Sequence, residues 1–151
     1  MKNHNIFLLT AGVLSLAVAV FQAVISFVPS WSAYFGSGET LASNPTLLLT
    51  AGLIVTVLFA IAGLYGLSGA GVIRRLPLLR TGLIVITLVY IYRGILFIPQ
   101  FLVTIGALPS PEPIPLQYLL SSLVALIIGL LYLVGLIVGW KMISPKKAVA
   151  A

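Results

Sequence analysis

The stretch TLLLTAGLIVTVLFAIAGLYGLSGA, residues 46–70, runs its whole length without a charged side chain. A helix rises about 1.5 Å per residue, and about 20 apolar residues cross a hydrocarbon layer of about 30 Å. In lipid, every backbone N–H and C=O has to find its partner within the protein, which leaves a helix or a closed barrel. The period-two alternation of barrel strands is absent, so the stretch predicts a membrane-spanning helix. Asn44 and Pro45 stand just before it. The first can accept from first-turn N–H groups, and the second needs no donor of its own there. The helix is expected to begin at that pair.

Three more segments have the same character: residues 6–28, 81–102 and 117–140. Four spans and short connections use the whole chain, which predicts a single integral-membrane domain over residues 1–151, an all-α four-helix transmembrane bundle. Composition agrees. Of 151 residues, 61% are hydrophobic and only 7% charged, and mean hydropathy is +1.24. A soluble domain carries about a quarter charged residues, so a soluble enzyme, a nucleic-acid binder and a disordered protein are all excluded. The first apolar run follows Met1-Lys2-Asn3-His4-Asn5 and passes a small-x-small site at Ala17-Val18-Ala19. It continues to Val28, long enough to span, and reads as an uncleaved first helix and not a signal peptide.

Charge predicts the orientation. Lys2, Arg74, Arg75, Arg80, Lys141, Lys146 and Lys147 fall on one side of a four-span arrangement, together with His4, while Glu39 and Glu112 fall on the other. Basic residues stay on the cytoplasmic side of short loops, so both termini and the arginine loop are expected there. A bacterial inner membrane suits such short loops. The net charge of +6 belongs to this asymmetry and not to nucleic acid. Arg74, Arg75 and Arg80 are the expected contacts with anionic lipid. In the first outer loop Trp31, Tyr34 and Phe35 follow an i, i+3, i+4 spacing, which predicts a short interfacial aromatic segment. Pro109, Pro111, Pro113 and Pro115 alternate around Glu112 and predict an extended connection.

Arg93 is the one cation inside a span. It lies 13 positions after Arg80, about 20 Å along the third span and just past the midplane. Intramembrane cations face a bundle interior and seek a partner. Tyr90, Arg93, Phe97 and Gln100 share a 3-4-3 spacing and hence one face; Gln22 on the first span lies at a similar depth, and Gln117, Tyr118, Ser121 and Ser122 open the fourth span from the outer side. Together they sketch an outer-half pocket for a lipid or small amphipathic anion, with Arg93 as anchor and Tyr90, Gln100 and Gln22 as lining. The competing expectations are a structural clamp, in which Arg93 pairs with Glu39 or Glu112 or bonds Gln22 and loop carbonyls, and an arginine that snorkels to the outer interface. Ala11, Ser15, Ala19 and Ala23 on the first span, Ala62, Gly66 and Ala70 on the second, and Gly135 and Gly139 on the fourth form small-residue faces. Such faces let helices approach closely, within the bundle or toward a partner.

The inventory for catalysis is thin. No carboxylate lies within a span, the single histidine is in the N-terminal tail, and cysteine is absent, so neither a nucleophile with its base nor a metal or cofactor site can be assembled. The expected function is therefore a non-enzymatic membrane protein that acts by association, as an accessory subunit or a homo-oligomer, with its small-residue faces making the contacts. The Arg93-centred binder or carrier is the alternative.

Overall fold

The computed structural model describes residues 4–34, 44–111 and 113–143. Within them the chain forms α1 (Ile6–Ser26), α2 (Pro29–Tyr34), α3 (Pro45–Gly69), α4 (Leu79–Ile95), α5 (Phe97–Thr104), α6 (Leu116–Val138) and α7 (Trp140–Ile143). No strand occurs among the described residues. Among the described residues, four helical stretches are long and apolar enough to cross a membrane: α1, α3, α6 and the Leu79–Thr104 stretch of α4 with α5. The chain reads as an integral membrane protein built as a helical bundle.

The helices begin where side-chain chemistry permits. Asn44 Oδ1 accepts from Leu47 N at 3.2 Å and Pro45 opens α3, as the Asn-Pro pair predicts. Asn5 caps α1 in the same way, its Oδ1 accepting from Leu8 N, and its amide Nδ2 donates across the bundle to Gly135 O at 2.6 Å. Pro115 precedes α6 with φ −60° and ψ 137°, the polyproline geometry expected of the proline-rich connection.

The third span departs from expectation. Residues 81–102 read as one helix, but the structure divides them at Leu96, between α4 and α5. The cause is Pro99, which has no N–H for the carbonyl four residues back and crowds it sterically; that carbonyl belongs to Ile95, the last residue of α4. The single face proposed for Tyr90, Arg93, Phe97 and Gln100 is therefore split between two helices. Phe97 stacks on Phe101 within α5, with centroids 5.6 Å apart.

α1 packs chiefly on α3 and α4 on α6, and sparser contacts of α1 with α6 and α3 with α4 complete a four-cornered ring. Glycine makes the first pairing close. A Cβ on Gly66 would lie 2.6 Å from Gly12 Cα, and one on Gly12 would lie 2.9 Å from Gly63 O. The small-residue faces are consumed here: Ala11, Ser15 and Ala70 are fully buried, and Ala19 and Ala62 are 5% exposed. Gly66, Gly135 and Gly139 are buried as well. The expectation that these faces contact a partner is corrected for these residues, which are closed against neighbouring helices of the same chain; Ala23, the last of the first-span face, is half-buried.

α2 is tied to α1 by Ser32 Oγ, which donates to Ile25 O at 2.8 Å. It leaves Trp31 and Tyr34 exposed; Phe35 and Glu39 of the same loop lie outside the described residues, as do Glu112, Lys2, Lys146 and Lys147.

Candidate functional site

Hydroxyl groups in apolar helices commonly return to the backbone one turn earlier. Thr10, Thr50, Thr56, Thr87 and Thr104 each do so, with Oγ1 donating to the carbonyl four residues back. Three sets of polar groups escape this local solution.

The first group is a chain of hydroxyls at the centre. Tyr90 OH donates to Ser15 Oγ at 3.0 Å, and Tyr132 OH donates to Ala62 O at 2.8 Å. Ser15 Oγ and Tyr132 OH are 3.2 Å apart. With the Tyr132 hydrogen committed to Ala62, Ser15 must donate to Tyr132. The path Tyr90–Ser15–Tyr132–Ala62 thus links α4, α1, α6 and α3 in one direction. Two of its bonds cross the diagonals of the ring, where backbones make few if any close approaches. The rings of Tyr90 and Tyr132 stack with centroids 5.7 Å apart, and Phe59 closes on Tyr90 at 6.1 Å. Ser15 and Tyr132 are fully buried.

The second is Arg93. Its Nη1 donates to Ser122 Oγ at 2.7 Å and its Nη2 to Ser121 Oγ at 3.1 Å, while Ser121 passes its own hydrogen to Tyr118 O at 2.9 Å. The adjacent serines of α6 receive the two prongs of the guanidinium fork. Ser122 is fully buried and Arg93 half-buried. Glu39 and Glu112, the expected ion-pair partners, lie outside the described residues.

The proposed lining residues do not gather around this fork. Tyr90 turns into the bundle centre, 6% exposed and committed to Ser15. Gln100 belongs to α5, beyond the break, and its Oε1 is buried with no hydrogen-bond partner among the described residues. Gln22 is half-buried on α1, and its carbonyl receives Ser26 Oγ at 2.6 Å. No described hydrogen bond joins Gln22, Gln100 or Tyr90 to Arg93. Ser121 and Ser122, which the sequence places at the outer start of the fourth span among the polar residues around Arg93, are the partners it takes. Two adjacent hydroxyls opposite an arginine are a weak signal without a known helix pairing.

The third is the end that carries the arginine loop. Arg74 and Arg75 are exposed and Arg80 is half-buried, the guanidinium carbon of Arg80 lying 3.6 Å from the centroid of the Trp140 ring. Two concavities of about 370 and 400 Å³ open here, one reaching His4 and Arg74 and the other Arg80, with Arg75 in both. No group of three or more metal-ligating side chains occurs among the described residues.

No protein family, curated protein or solved structure matches this chain.

Proposed function

We propose that this is a non-enzymatic polytopic membrane protein that works by association in the bilayer. We place its basic end in the cytoplasm, by the positive-inside rule, and the protein itself in a bacterial inner membrane. The observation that carries the association reading is Tyr92. It lies at the midpoint of the Leu79–Thr104 span, 75% exposed. Helical side chains lean toward the helix N-terminus, so its phenol stays near the bilayer middle, away from either headgroup layer. Unlike the threonines, a tyrosine is too long to bond its own preceding turn, and among the described residues its hydroxyl has no partner.

A hydroxyl held in hydrocarbon favours contact with another helix that can bond it. Val85, Leu88 and Val89 complete the face at i, i+3, i+4, i+7 spacing and are 52%, 63% and 61% exposed. A second copy of the chain is the simplest occupant. Two copies in one membrane share orientation, so a two-fold axis along the membrane normal sets Tyr92 against Tyr92, each able to donate and to accept. The binder reading has less behind it, since the Arg93 fork is taken up by Ser121 and Ser122.

The absence of cysteine makes the test direct. Single Val85→Cys and Val89→Cys variants, which keep Tyr92, oxidised in native membranes, should each give a same-position disulfide dimer. Val20→Cys on α1 and Ile137→Cys on α6, at positions 66% and 65% exposed, should remain monomeric. Monomer at every position, or dimers at all four, would end the α4-face proposal.

A further inference from the structure

The basic end of the bundle holds more than topology requires. The two concavities share one wall, formed by Arg75, Leu79 and Ile143. The first adds His4, Gly71 and Arg74, and the second adds Leu78, Arg80 and Thr81. Each lobe therefore has basic side chains over an apolar floor. A residue that only sets orientation has no need of a cavity beside it.

Arg80 points more directly to a ligand. Its guanidinium carbon lies 3.6 Å from the centroid of the Trp140 ring, a cation–π contact that leaves its hydrogen-bond donors to other partners. Its Nε is closed off from solvent, yet it has no hydrogen-bond partner among the described residues. A shielded donor of a charged group is costly to leave unbonded. The start of α4 adds more donors. Its N-cap is Leu78, which gives no side-chain cap, so the first-turn N–H groups of the helix that forms the second lobe have none of the help that Asn5 and Asn44 give α1 and α3.

His4 shapes the other lobe. Its Nδ1 donates to Ala70 O at 3.1 Å, which holds the ring at the end of α3 and covers a carbonyl that would otherwise repel an anion. Leu78 is 79% exposed at the rim of the second lobe, so an aliphatic surface continues outward from the donors. Arginine forks match phosphate oxygens in pairs, and basic pockets between helix ends on the cytoplasmic side suit anionic headgroups.

We infer that this two-lobed cavity binds a phosphate-bearing anion, namely the headgroup of an anionic phospholipid, with phosphate oxygens on Arg75 and Arg80 and an acyl chain along Leu78. A lipid with two phosphodiesters joined by a glycerol bridge fits a cavity with two basic lobes.

The test is native mass spectrometry of the full chain titrated with diphosphatidylglycerol, with phosphatidylcholine of the same acyl chains, and with sodium phosphate. Diphosphatidylglycerol should bind one-to-one and at least about tenfold more tightly than phosphatidylcholine. Arg74→Gln combined with Arg75→Gln changes exposed side chains only and should remove that preference while the protein stays folded. Arg80→Lys, which keeps the charge but loses the fork, should weaken binding by a smaller factor. Displacement of the lipid by millimolar phosphate would assign the cavity to a soluble phosphate compound and overturn the lipid. Equal binding of both lipids, or a double variant with unchanged preference, would overturn the site itself.

Discussion

Tyr132, Ser15 and Tyr90 share a hydroxyl chain whose direction makes the three side chains unequal. Tyr132 donates to Ala62, Ser15 to Tyr132 and Tyr90 to Ser15. In Ser15→Ala, the Tyr90 hydroxyl is left buried with no acceptor, which costs about 1–3 kcal/mol. In Tyr132→Phe, Ser15 loses its acceptor but can return to the carbonyl one turn back, so about 1 kcal/mol is expected. Tyr90→Phe leaves every remaining hydrogen with a partner and should cost least. Thermal unfolding in detergent should rank the variants in that order, and Tyr90→Phe as the most damaging would refute the assigned direction. Little of this was legible in the chain. Ser15 reads as one more small residue on a packing face, and Tyr90 as a neighbour of Arg93. What separates these readings is which helix lies opposite, and periodicity within one span does not encode that.

At the scale of elements, the spans were legible because lipid leaves so few solutions. The Asn44–Pro45 start and the lengths of α1, α3 and α6 follow from apolar run length and capping chemistry alone. The break at Leu96 was legible too, in Pro99, but apolar continuity through residues 81–102 conceals it unless the proline is weighed against the carbonyl of Ile95. Pairing is decided by glycine. A methyl on Gly66 would meet Gly12 Cα at 2.6 Å, with Gly12 N and Tyr132 OH each at 2.9 Å. Two of those three atoms are backbone and have no rotamer by which to yield. Gly66→Ala should therefore part α1 from α3 and cost about 1–3 kcal/mol. Leu64→Ala, on the 44% exposed side of the same helix, should stay within about 0.5 kcal/mol. Unfolding midpoints of the two variants compare these directly, and equal losses would mean that α1 and α3 are not held at the distance described.

For the whole molecule, the governing feature is how charge is distributed along an apolar chain. Apart from Arg93, every basic residue falls, in sequence, in the arginine loop or outside the first and fourth spans at the chain ends, and the net charge is +6. Changing Arg74, Arg75 and Arg80 together to Glu replaces three positive charges by three negative ones and leaves only the four lysines, Lys2, Lys141, Lys146 and Lys147, outside the spans. Orientation responds to the count of basic residues near the spans far more than to acids, so a single Arg→Glu change should be tolerated whereas the triple change should yield a mixed population of orientations. Ala107, exposed in the connection after α5, gives the readout. A lone cysteine introduced there should react with a membrane-impermeant thiol reagent added outside intact cells, and that labelling should fall in the triple variant. Unchanged labelling would mean that the four lysines hold the orientation without the loop. The three arginines would then be free of any topological duty, and the cavity they line would be their remaining role.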